Sequence, residues 1–143
     1  GDLRVRVGLR CGAAAVRDLC HLLGGDRPRV EHGARLRIAP GYRLHRKDLP
    51  GNPDLVMAGR KLAFFVHGCF WHQHKNCRIA NVPGSNTAFW QAKFQANKRR
   101  DARAIRALRA VGWRVAVVWE CQLSGAKRTR MTVARVRRFL TER

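Results

Sequence analysis

The eleven residues from His67 to Cys77 hold three of the chain's six histidines and two of its five cysteines. Their order, His67-Gly-Cys69-Phe70-Trp71-His72-Gln-His74-Lys-Asn-Cys77, brings Cys69, His74 and Cys77 within reach of one ion. Thiolate and imidazole are soft or borderline ligands, and zinc completes such a set as a tetrahedron. A fourth ligand is available in Cys121, which follows the apolar run 115–119 and so stands near the end of a strand. The competing reading makes the cysteines small buried hydrophobes and the histidines hydrogen-bonded surface residues. Clustering this dense favours the metal cage. His67 and His72 are left over in the same stretch. Imidazole titrates near neutrality and moves protons, so two uncommitted histidines beside a cage suggest catalysis.

The elements that must position these residues can be read outward from residues 62–66. This short run of bulky and β-branched side chains is a buried strand, ended by the turn glycine Gly68. Residues 35–38 and 42–45 read as strands, residues 48–51 as a turn. Asn52-Pro53 fixes the approach to Asp54, which opens the strand 55–57, and Gly59-Arg60 is the expected hairpin turn into the central strand. Residues 82–86 form a loop, with Asn86 or Thr87 the expected N-cap of a helix. That helix should run to about Val111 and end at Gly112, with a break near Asn97. Residues 114–119 are the next buried strand and 131–140 a short basic amphipathic helix. Residues 13–23 read as a helix ended by Gly24-Gly25. Hairpin, strand, loop, helix, strand, helix is an α/β order, a sheet with helical cover.

At 143 residues the chain suffices for one domain with a single core. Thirty Lys and Arg against nine Asp and Glu leave a net charge of +21 and a pI near 11.7. Such a field attracts polyanions, DNA or RNA above all. A solvated basic surface, a ribosomal protein or a membrane-surface protein would share the charge. Aromatics interleaved among the basic residues favour nucleic acid over lipid, because bases stack on them. No apolar run approaches the ~20 residues of a membrane span. The N-terminal residues lack an apolar secretory core, and an odd cysteine count with a metal-like pattern points to a reducing cytosol.

The motifs His67-Gly-Cys-Phe-Trp-His72, Leu49-Pro-Gly-Asn-Pro-Asp54, Thr87-Ala-Phe-Trp90 and Gly112-Trp-Arg-Val followed by Trp119-Glu-Cys121 occur in this order. Together they resemble the very-short-patch repair endonucleases, which nick DNA at T:G mismatches left by deamination of 5-methylcytosine. The resemblance runs from about Tyr42 to Gly125. It divides the chain into an N-terminal segment, 1–41, outside the family pattern and an endonuclease core, 42–143, within one domain overall.

The resemblance implies a restriction-endonuclease-like α/β fold, a central mixed sheet flanked by helices, with a structural zinc at Cys69, His74, Cys77 and Cys121. It implies catalytic Mg²⁺ on Asp54 and the backbone carbonyl of Val66, where related nucleases carry an acidic-x-lysine pair and this chain reads Phe65-Val66-His67. A carboxylate held by a preceding proline suits Mg²⁺, which accepts one or two carboxylates and keeps several waters. His72 is the implied general base. Asp101 matches a family position and would orient His72, or else it pairs along its own helix near Asn97. His67 would stabilise charge on the phosphate or hold its neighbours in place. Phe70, Trp71 and Trp90 would wedge into the duplex at the mismatch, and Lys98, Arg99, Arg100 and Arg103 would grip phosphates. The family's helical start supplies an active-site acid; Glu31 and Asp26 are the nearest candidates here.

The implied reaction is hydrolysis of one strand 5′ to the mismatched thymine, leaving a 5′-phosphate. Expected partners are double-stranded DNA with a T:G mismatch and mismatch-repair proteins, without a membrane. The protein is expected to act as a monomer in the bacterial cytoplasm, on the nucleoid. Two other readings fit the same residues: a zinc-stabilised DNA-binding module with weak or lost activity, and a related nuclease of different DNA specificity.

Overall fold

The computed structural model describes Leu19, the strand residues Arg37–Ile38 and Tyr42–Leu44, and residues 46–142. Five strands lie side by side in chain order: β1 (Arg37–Ile38), β2 (Tyr42–Leu44), β3 (Leu55–Met57), β4 (Leu62–His67) and β5 (Arg114–Trp119). Neighbours are antiparallel up to β4, whereas β4 and β5 run parallel with His67 opposite Trp119. A parallel pair needs a long crossover, here helix α1 (Thr87–Ala110). A second helix, α2 (Ala126–Thr141), follows β5. The result is a small α/β structure with a mixed sheet, as the order of elements predicts.

All six residues of β4 are buried, as a strand covered on both faces requires. Strand alternation divides them. Leu62, Phe64 and Val66 pack with Leu55, Val118 and Val136 of α2, and Leu19 joins this cluster. Ala63 and Phe65 turn the other way, onto Val115 and Leu108, with Ile105 of α1 against them. Phe64 is wholly buried, which contributes about 1.5–3 kcal/mol. The same alternation sends His67 to the α1 face.

The turn before Asp54 is pinned to this second layer. Leu49 packs on the Phe65 cluster, and Gly51 has φ 74°, where a Cβ would stand 2.6 Å from that of Ala104 in α1. Only glycine lets the turn lie this close.

The hairpin turn expected at Gly59-Arg60 is present as a 3₁₀ turn, Ala58–Arg60, between the antiparallel β3 and β4, with Lys61 left-handed after it (φ 50°). Other local expectations are refined or corrected. Helix α1 has no break at Asn97, because the amide of that residue bonds outside the helix instead of competing with its backbone. Asn86 is the N-cap of α1, one of the two residues expected there, but its left-handed backbone makes no side-chain cap bond, and the Thr87 hydroxyl turns back to the Gly84 carbonyl at 3.4 Å. Helix α2 begins at Ala126, five residues before the first apolar residue of its expected start, with Gly125 ahead of it (φ 81°). The expected helix 13–23, apart from Leu19, and the acids Asp26 and Glu31 lie outside the described residues.

Candidate functional site

Strands β4 and β5 end side by side, and the chemistry gathers beyond their carboxyl ends, the usual site position in open α/β sheets. The loop after β4 carries Cys69, His72, His74 and Cys77; the 3₁₀ turn Glu120–Leu123 after β5 carries Cys121. Ligand atoms of Cys69, His74, Cys77 and Cys121 lie within 4.8 Å of one another and could hold one metal ion. His74 Nδ1 is 3.3 Å from Cys121 Sγ and 3.6 Å from Cys69 Sγ. Its ring stacks on Trp119 at 4.1 Å, which fixes its direction. Burial pushes the Cys69 thiol up to about 12, a bias toward the neutral form that a bound cation reverses. The four residues selected by spacing therefore converge, including the distant Cys121.

A second cluster stands on the α1 face. His67 is buried, its ring stacked on that of His72 at 3.9 Å. Burial first, and then the neighbouring His72, push the His67 pKa down to about 4, against a smaller opposite pull from Asp101. His67 is therefore a neutral imidazole at neutral pH. His72 Nδ1 lies 2.6 Å from Asp101 Oδ2. An ionised carboxylate only accepts, so Nδ1 carries the proton of this bond. Burial alone would raise the Asp101 carboxyl, but the hydrogen bond and charge of His72, aided by His67 and Arg100, hold it below the usual range. Of the two sequence alternatives for Asp101, the structure shows the pairing with His72.

Asp54 sits one residue before β3, behind the buried Pro53. Its N–H donates to the Phe64 carbonyl at 3.0 Å, and its Oδ2 accepts the Val66 N–H at 2.7 Å. The Val66 carbonyl leaves the strand on the same edge as that amide, toward the Asp54 side.

Phe70 and Trp71 are half-buried instead of held out in solvent. Phe70 meets Trp71, Trp90 and the buried Phe94 edge-on at 5.1, 5.7 and 5.2 Å. Phe94 thus backs an aromatic cluster whose outer rim is Phe89, 50% exposed. Lys98, Arg99, Arg100 and Arg103 are all exposed along α1.

Two polar residues escaped the sequence reading. Asn97 is buried; its Nδ2 donates to the Trp71 carbonyl at 2.9 Å, and its Oδ1 accepts from Arg100 at 2.8 Å. One turn along α1, Asp101 holds His72, so two residues four apart fix two consecutive loop positions. The only signal for Asn97 was a polar residue at an inward helical phase. Glu120 accepts the Cys69 N–H at 3.0 Å and ties the two halves of the cage through the backbone. Asn97→Asp keeps the acceptor for Arg100 but loses the donor to Trp71. It is expected to destabilise the protein by about 1–3 kcal/mol, the cost of orphaning a buried carbonyl. Urea unfolding checks this, and unchanged stability would remove Asn97 from the loop's support.

The sequence model of the family described as DNA mismatch endonuclease Vsr matches residues 33–78. Over 83 residues the chain is 59% identical to the Type II nicking enzyme V.XorIIP of Xanthomonas oryzae pv. oryzae, spanning 58% of this chain and 60% of that one. It is 44% identical over 87 residues to the DNA mismatch endonuclease Vsr of Escherichia coli, 61% of this chain and 55% of that one. The Type II nicking enzyme V.NmeAIP of Neisseria meningitidis is 43% identical over 82 residues, 57% and 58% respectively. The chain thus spans less than two thirds of the length of each of these relatives.

Proposed function

Starting from the chain's kinship with the Vsr DNA mismatch endonucleases, we propose that it is a Mg²⁺-dependent, zinc-stabilised endonuclease of restriction-endonuclease-like fold. It would nick one strand 5′ to the thymine of a T:G mismatch. The observation that carries the reading is the His72–Asp101 pair, aimed from the loop that also bears the aromatic cluster and the metal cage.

His72 Nε2 takes a proton from the attacking water while Nδ1–H stays on Asp101. The water oxygen bonds to phosphorus as the bond to the 3′ oxygen breaks; the 3′ oxygen takes a proton from solvent, and the products are a 3′-hydroxyl and a 5′-phosphate. His67, neutral and stacked on His72, fixes the plane of the base and can offer an N–H to a phosphate oxygen. Asp54 and the Val66 carbonyl would hold Mg²⁺, which asks for few protein ligands and would neutralise charge on the phosphate.

Zinc fits the cage by donor type and by spacing. Bond lengths near ~2.3 Å to sulfur and ~2.0 Å to nitrogen make a tetrahedral N–S edge of about 3.5 Å. The observed edges are 3.3 and 3.6 Å. DNA is the partner, bound by the exposed basic residues of α1, with the protein acting as a monomer in the cytoplasm and meeting mismatch-repair proteins on the nucleoid. Among the described residues no helix is long and apolar enough to cross a membrane.

End-labelled duplexes carrying T:G or T:A, with and without Mg²⁺, test the reading directly. Nicking is expected only at T:G with Mg²⁺. Trp71→Ala sharpens the test: losing one stacking ring is worth about 1–3 kcal/mol. The T:G rate should fall about 10- to 100-fold, with low-salt binding nearly unchanged and the preference over T:A reduced. The wobble pair is cheaper to unstack than a matched one, so deformability contributes to the choice. Equal cleavage of both duplexes by the unaltered protein would make it a nuclease without mismatch preference.

A further inference from the structure

We propose that the cleft between the 76–79 loop and α2 is a docking site for an acidic segment of a partner protein carrying apolar anchor residues. The cleft encloses about 750 Å³ on the α2 side of the cage, where His74 and Cys121 form part of its wall. That volume is in the range of built ligand sites.

Its chemistry is two-part. Arg78, Arg128 and Arg135 line it, all exposed, and no Asp or Glu is among the described lining residues. Between them lie Ile79 and Met131, which are 46% and 64% exposed and rank among the most exposed large apolar side chains described. The wall is held in place. Arg135 donates to Gln122 Oε1 at 2.9 Å, and the Thr132 hydroxyl donates to the Gln122 carbonyl at 2.7 Å, so α2 is fastened to the turn carrying Cys121.

Charge complementarity alone would admit any polyanion. The concave shape and the apolar floor favour a peptide. A DNA backbone is a ridge of phosphates that gains nothing from Ile79 and Met131, whereas leucine-like anchors bury against them and carboxylates reach the arginines. Methionine also suits the recognition of flexible segments, since it repacks easily. The basic run 98–103 lies on α1, which covers the opposite face of the sheet from α2. A partner seated here leaves that run free for DNA. The inference goes beyond the nuclease reading and does not depend on it.

The test uses a short fluorescent peptide in which leucines recur at helical spacing among glutamates, read by anisotropy against the full chain. Two control peptides replace every glutamate by glutamine or every leucine by serine; both are expected to bind at least about tenfold more weakly. Arg128→Glu and Met131→Glu, both at exposed positions, should each weaken the parent peptide by about tenfold and a short matched duplex by less than about twofold. Thermal melts verify that both variants fold. Loss of duplex affinity equal to the loss of peptide affinity would make the cleft part of the DNA surface and overturn the proposal. So would a serine peptide that binds as well as the parent, or variants that bind the parent peptide normally, since either leaves only the bulk charge as attractant.

Discussion

His72→Ala is expected to lower the nicking rate by about two to four orders of magnitude, the usual contribution of a positioned general base, and Asp54→Ala to abolish nicking. Neither should change duplex affinity more than a few fold. The separation follows from where the two functions sit. In the proposed mechanism proton transfer would rest on one imidazole, oriented by a 2.6 Å bond to Asp101 and stacked on His67. Affinity would rest on many contacts to phosphates, drawn from a net charge of +21 and the exposed Lys98, Arg99, Arg100 and Arg103. Removing one imidazole already engaged by Asp101 subtracts little from that sum. Removing the Asp54 carboxylate subtracts a negative charge, which if anything favours DNA. Single-turnover nicking with saturating protein, beside a mobility-shift titration, reads both quantities. Nicking at the unaltered rate by either variant would mean that the water is activated elsewhere. Asp101, held below the usual carboxylate range by its hydrogen bond to His72, should not be the group that limits the rate on the acid side.

Why these residues were legible in sequence, and others not, has a physical basis. The cage could be read because metal ligation forces reactive residue types into short spacings: Cys69, His74 and Cys77 share one loop, and Cys121 was found from the end of a strand. The central strand was legible because burial on both faces leaves an unbroken apolar run at 62–66. In sequence the partner of Asp101 stays between His72 and a neighbour on its own helix, because it depends on the phase of a helix relative to a loop 29 residues away. Asn97 was misjudged for a related reason. Asparagine disfavours helix interiors because its amide competes for backbone groups, and only tertiary structure reveals that the amide is engaged by the Trp71 carbonyl. Phe70 leans on Phe94, a contact between loop and helix that no local pattern encodes.

Removing the metal is expected to unfold the protein, and Cys121→Ser or Cys77→Ser to give chains that are poorly soluble or unfolded. The cage joins the segments that leave β4 and β5, the two central parallel strands, at their carboxyl ends. Without an ion, that closure would rest on one hydrogen bond from the Cys69 N–H to Glu120 and on the stacking of His74 on Trp119. The His72 loop hangs from the same closure, since the His72 and His74 amides bond back to Gly68 and Cys69. A structural zinc site binds with about 10–16 kcal/mol in small domains, as large as the entire ~5–15 kcal/mol that holds a domain folded. With zinc in the cage, loss of the ion would remove most of the stability available. Metal analysis should find about one zinc per chain, and circular dichroism should show melting brought down sharply by a strong chelator. His72→Ala and Asp54→Ala must keep the full zinc content, because neither residue belongs to the cage; a variant that loses zinc has lost activity through folding. Well-folded protein free of zinc would refute the structural role and leave the four converging side chains without a purpose.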